Sequence, residues 1–125
     1  MRWRARGEFG WALDVVRELE VPPQAGLDDL AALVARRIGR PVEVVLIDAP
    51  VPNGALEEGP GHRLWIRVPT GTTDFYHRHL VCRGLAQALY QEAGARHGQI
   101  DYSLPIEREI ECVATLLSSR LRGVE

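Results

Sequence analysis

Leu80-Val81-Cys82-Arg83-Gly84-Leu85-Ala86-Gln87-Ala88-Leu89 is the stretch on which the fold turns. Its strongly polar members are Arg83 and Gln87, four residues apart, so on a helix they share one face. The other positions are apolar or glycine. This pattern predicts a helix set into a core, amphipathic only through a narrow wet stripe. That stripe is either a solvated seam or one wall of a site.

Outward from this stretch, the helix is expected to run from about Asp74 to Ala95, entered through the cap-bearing loop Thr70-Gly71-Thr72-Thr73. Before it, Arg63-Leu64-Trp65-Ile66-Arg67-Val68 alternates polar and apolar residues, the pattern of a half-buried strand ended by Pro69, with Trp65 read as core. Val42-Glu43-Val44-Val45-Leu46-Ile47 is β-branched and too short for a helix, which predicts a strand with one well buried face. Between the strands, Asp48 to His62 is rich in proline and glycine and reads as a long loop with a brief extended piece at Ala55-Leu56. Loops of this length often border a site.

Two helices precede the first strand. Phe9 to Val21 places Trp11, Ala12, Val15, Val16 and Leu19 at helical spacing, and Pro22-Pro23 stops it. Gly26-Leu27-Asp28 opens the second, with Leu30, Leu33, Val34 and Ile38 along one face and Gly39 and Pro41 at its end. The last helix begins near Pro105, has Glu107 and Glu109 in its first turns and Arg120 and Arg122 at its end, and carries the seam Ile106, Ile110, Val113, Leu117 and Leu121. No repeat, low-complexity segment or linker interrupts the 125 residues, so 1–125 is read as a single α+β domain.

Bulk composition excludes some partners. The formal charge is -2 and the pI about 6.1, which gives no general attraction to phosphate backbones and argues against direct nucleic-acid binding. All 15 basic residues are arginine, and Asn53 is the one asparagine, usage typical of a high-GC bacterial genome. No apolar run approaches the ~20 residues of a membrane span, and Met1-Arg2-Trp3-Arg4-Ala5-Arg6 leads into no signal-type segment. A cytoplasmic location is expected, with Cys82 and Cys112 as buried thiols. Trp3 and Trp11 are read as terminal packing, and His62 and His97 as solvated loop residues.

Arg83-Gly84-Leu85-Ala86-Gln87 also occupies the frame in which a zinc peptidase carries H-E-x-x-H, two imidazoles one turn apart with the general base between them. The second half of the chain resembles the ImmA/IrrE family of zinc metallopeptidase-like proteins. The resemblance rests on the strand Leu64 to Val68, on His79 to Leu89, and on Glu107-Arg108-Glu109-Ile110-Glu111-Cys112-Val113-Ala114 in the last helix. It covers residues 60 to 122 well, and residues 9 to 48 only as two helices and a strand.

The resemblance implies a zincin-like minimal domain: two N-terminal helices, a small sheet of two or three strands, and two C-terminal helices facing each other across a former metal site. Arg83 stands for the first histidine, Gly84 for the glutamate, Ala86 for the glycine and Gln87 for the second histidine, while Glu109 keeps the third-ligand position. Arginine has no lone pair to offer a metal, and the water-activating carboxylate is missing. Hydrolysis by the family mechanism is therefore not expected, and neither a metal nor another cofactor is. The guanidinium of Arg83 is expected to replace the metal's charge opposite Glu109, with Gln87 adding hydrogen bonds.

The expected role is a non-catalytic, metallopeptidase-derived module that regulates or binds protein. The family's association with helix-turn-helix repressors implies a partner of that kind. The alternative is a repurposed enzyme that binds a small anionic substrate in a cleft of Arg83, Gln87, Glu109 and His79, with Asp74, Tyr76 and His77 near its mouth. A homodimer without ligand and a relocated metal site of His79, Glu109 and Cys112 complete the alternatives.

Overall fold

The computed structural model describes the backbone of residues 7–49, 56–97 and 106–122, with the side chains of 12–49, 56–92, 108 and 110–122. Within these, helices α1 (Gly7–Leu19) and α2 (Leu27–Ile38) precede strand β1 (Val42–Ile47). Strand β2 (Leu56–Glu58), a 3₁₀ turn (Pro60–His62) and strand β3 (Leu64–Pro69) follow, then α3 (Asp74–His97) and α4 (Ile106–Arg120). The α+β architecture is as the sequence predicts.

The helix ends follow local chemistry. α1 stops two residues before the Pro22-Pro23 pair suggests, at a left-handed Glu20 with φ 52°. In α2, Asp29 accepts from the Gly26 N–H at 2.9 Å, and Gly39 ends the helix at φ 74°, a left-handed cap that glycine adopts without Cβ strain. α3 is capped by Thr73, whose hydroxyl accepts from the Tyr76 N–H at 3.1 Å.

The sheet order is β1-β3-β2. β1 pairs parallel with β3, Val42 opposite Leu64 and Val44 opposite Ile66, while β2 runs antiparallel on the other side, Leu56 opposite Ile66. The extended piece of the long loop is thus a true edge strand, lying at Leu56–Glu58; Ala55 lies outside the described residues. The central strand buries Leu64, Ile66 and Val68 against the helices.

Two sequence expectations are corrected here. β1 has no well buried face, because it is the other edge: Val42 is half-buried, and Val44 and Leu46 are exposed. Trp65 is not core either. It lies on the outer face of the sheet, donating from Nε1 to Glu43 at 2.9 Å, while Arg63 donates to the same carboxylate at 2.9 Å. The Trp65 bond, then Arg63, holds the Glu43 carboxyl below its usual range.

The sheet's inner face is covered by α3, which also meets α2 and α4; α1 packs mainly on α4. α3 and α4 are antiparallel, held at one end by Arg78. Its guanidinium donates to the hydroxyl and carbonyl of Ser118 at 3.1 and 2.6 Å and to the carbonyls of Leu121 and Arg122 at 3.3 and 2.6 Å. A cation on the unsatisfied carbonyls of a helix C-terminus satisfies them and the helix dipole together.

Midway along α3, Gly84 lies against Ile66 of β3: a Cβ there would stand 2.7, 2.9 and 3.0 Å from three side-chain carbons of that isoleucine. A Gly→Ala change inside a helix normally gains about 1 kcal/mol. Here overpacking opposes that gain, at about 1–3 kcal/mol. Gly84→Ala is therefore expected to lower the urea midpoint without changing the slope, and a raised midpoint would contradict the close approach.

Candidate functional site

The site that the sequence points to lies where α3 faces α4. From Leu80 to Ala86 every residue of α3 is buried, Leu80, Val81, Cys82, Leu85 and Ala86 at 1% exposure or less. The helix is enclosed on all sides, so its middle is not amphipathic in the usual sense. Consequently the expected wet stripe is absent at Arg83, which is itself 8% exposed.

Arg83 donates from Nη1 to the carboxylate of Glu111 on α4. The pair is asymmetric: the Arg83 side chain is 10% exposed and that of Glu111 45%. The resemblance drawn from the sequence points to Glu109, two residues earlier, as the partner; its side chain lies outside the described residues. What the structure does show is an Arg83 guanidinium that crosses from α3 to a carboxylate of α4, with Glu111 supplying it.

The other candidates are spread along α3. Gln87, one turn beyond Arg83, is half-buried and makes no hydrogen bond among the described residues. His79, one turn before, stacks on Tyr76 with ring centroids 6.1 Å apart and planes 21° from parallel. Asp74 and His77 share a hollow of about 280 Å³ with Thr70, Thr72 and Leu46 at the ends of β1 and β3. Tyr76 instead turns toward His79. The three acid-base candidates of the helix start thus divide between two surroundings.

The residues do not suit zinc. Arg83 has no lone pair to offer a metal and Gln87 is a weak donor in place of imidazole. A glutamate at Gly84 would have to enter space held by Ile66. Among the described residues no group of three His, Cys, Asp or Glu side chains could hold a metal ion. The relocated set of His79, Glu109 and Cys112 depends on a Glu109 side chain outside those residues. Neither cysteine is in a disulfide; Cys82 is buried and Cys112 half-buried. Burial pushes the Cys82 thiol up to about 11, so it is neither a ready nucleophile nor a thiolate ligand.

Two interactions here were not foreseen. Arg78 was read only as part of the helix, and Glu111 only as a motif neighbour. An arginine one turn inside a long helix gives no sign of its target; the antiparallel packing that brings Ser118 to Arg78 gives it. Comparison of the chain with family models, with curated proteins and with solved structures finds no match.

Two outcomes are expected of this region. Arg83→Ala should cost about 1–3 kcal/mol, through lost packing of the buried stem and the stranded carboxylate, whereas Glu111→Gln at the half-exposed end should cost under about 1 kcal/mol. A loss below about 0.5 kcal/mol on Arg83→Ala in urea unfolding would contradict its burial. For Cys82, the fold favours the neutral thiol, so its contribution is fully present below pH 9.0 and is lost as pH rises toward about 11. In the native protein at pH 8, iodoacetamide should therefore modify Cys112 well before Cys82; equal rates would show that Cys82 is accessible.

Proposed function

We propose that this chain is a non-catalytic, metallopeptidase-derived module that works by binding another protein. One observation carries the reading. Arg83, which the resemblance equates with the first zinc ligand of the peptidases, is buried and already joined to Glu111 of the facing helix. An arginine poised for an anionic substrate would keep its guanidinium open in a pocket. This one is engaged internally, as a tie between α3 and α4. The geometry therefore favours a scaffold over the small-molecule enzyme. The resemblance to ImmA/IrrE proteins makes a helix-turn-helix regulator the partner to test first. No helix among the described residues is long and apolar enough to cross a membrane, so nothing in them calls for a bilayer.

The test is metal content with stability. Purified protein should carry far less than one zinc per chain, and chelator should leave its melting temperature unchanged. Structural zinc contributes on the order of 10 kcal/mol, so its removal would be conspicuous. Stoichiometric zinc, or cleavage of a partner that is abolished by Glu109→Ala, would overturn the proposal. Turnover of a small anionic compound abolished by Arg83→Ala in a folded protein would establish the enzyme instead.

A further inference from the structure

The outer edge of β1, on the side of the sheet away from β2, has no partner strand among the described residues. Pro41 and Ile47 turn their carbonyls toward β3, accepting from the N–H groups of Leu64 and Thr70 at 2.8 Å each. Backbone groups of successive strand residues point to alternate sides, so Val42, Val44 and Leu46 aim theirs outward. Their side chains share the face of Leu64, Ile66 and Val68, the one that the helices cover, yet Val44 is 37% exposed and Leu46 58%. With six residues in unbroken register and neither proline nor lysine among them, this edge lacks the devices that normally keep sheets apart.

The edge is complementary to itself. Two copies of β1, antiparallel about a two-fold axis through Val44, place Val44 opposite Val44 and Val42 opposite Leu46. Every outward N–H and C=O then has a partner, two bonds to each facing pair. The two apolar stripes meet on the helix side. On the outer face Glu43 stands opposite Val45, and each Glu43 keeps its own Arg63 and Trp65. A register that set the two Glu43 carboxylates face to face would leave Leu46 outside the ladder.

The helix layer has the same symmetry. Between α2 and this edge lies a hollow of about 600 Å³, lined by Ala31 and Ala32 as well as by Val42 and Val44. Ala32 and Val44 thus border one space, and an axis through Val44 normal to the sheet runs past Ala32. One turn to either side of Ala32, on the exposed face of α2, are Asp28 and Arg36, neither of them ion-paired among the described residues. The axis brings Asp28 of each copy to Arg36 of the other, acid to base at both ends. Alanine at the crossing lets the two helices approach to the ~8 Å end of helix spacing. A six-residue ladder alone buries less than the roughly 1,200 Å² of a stable interface, so the helix pair is part of it.

We propose that the β1 edge and the Ala32 face of α2 together form an interface with a second copy of this chain, giving a two-fold dimer with one continuous sheet. This goes beyond the binding-module reading and does not depend on it: zinc content tests that reading, and self-association tests this one.

Sedimentation equilibrium of the full chain is the measurement. The unaltered protein should be dimeric at about 100 μM and dissociate on dilution. Val44→Lys sets two ammonium groups face to face at the axis, on a side chain that the single chain leaves partly exposed. It should raise the dissociation constant of the dimer about tenfold or more while the circular dichroism of the folded chain is kept. Asp28→Arg and Arg36→Glu should each weaken the dimer about tenfold, and the two together should restore it to within about threefold of the unaltered protein. If Val44→Lys fails to fold, these reversals on the exposed helix surface decide the matter. A monomer at about 100 μM, a dimer that Val44→Lys leaves intact, or single reversals without effect overturn the proposal. So does a double reversal that associates no more tightly than the single ones.

Discussion

The approach of Gly84 to Ile66 is the constraint on which the rest of the structure depends. It sets α3 onto the central strand at a distance that no side chain at position 84 would permit. With α3 lowered onto the sheet, its remaining faces are free to receive α2 and α4, and one helix organises the whole core. The same contact bears on chemistry. A zinc peptidase of the H-E-x-x-H kind needs a carboxylate in this place, and here the place is packed. Introducing the two histidines at positions 83 and 87 could assemble ligands, but adding the glutamate would require α3 to rise from β3.

Much of the architecture was legible in the sequence because it rests on local signals. Gly39 and Pro41 mark the end of α2, Thr73 the start of α3, and the alternation through Leu64, Ile66 and Val68 the central strand. What failed was information about neighbours. The pattern of Val42 to Ile47 is that of a buried strand, and only the sheet order reveals an edge. Trp65 reads as core by composition, yet the alternation of β3 puts it on the face opposite Leu64, Ile66 and Val68, where Glu43 accepts from its indole. At the candidate site, the sequence indicated an arginine tied to the last helix. It named Glu109, whose side chain lies outside the described residues, and gave no sign of Glu111, because the rotation of α4 against α3 brings that carboxylate to Arg83.

Arginine does this work throughout the molecule. Arg78 gathers three carbonyls and a hydroxyl at the end of α4. Arg40 joins the start of β1 to the turn before β3, donating to the carbonyls of His62 and Arg63 and to Glu58. A planar fork with several donors can satisfy such convergent acceptors, and a lysine ammonium could not match the geometry. The absence of lysine, read first as a mark of genome composition, thus has a structural counterpart.

The far end of α4 has a consequence for synthesis. Arg122 donates from its backbone N–H to the carbonyl of Ala25 at 3.1 Å and from its guanidinium to that of Gln24 at 3.2 Å, closing a span of 98 residues. α1, which packs mainly on α4, has to wait across nearly the same span for its principal neighbour. At ribosomal speeds of about 5–20 residues per second, that wait lasts roughly 5–20 seconds. During it, Ala12, Val16 and Leu19 lack the surface that later buries them. Among the described elements α1 is therefore made early and secured late.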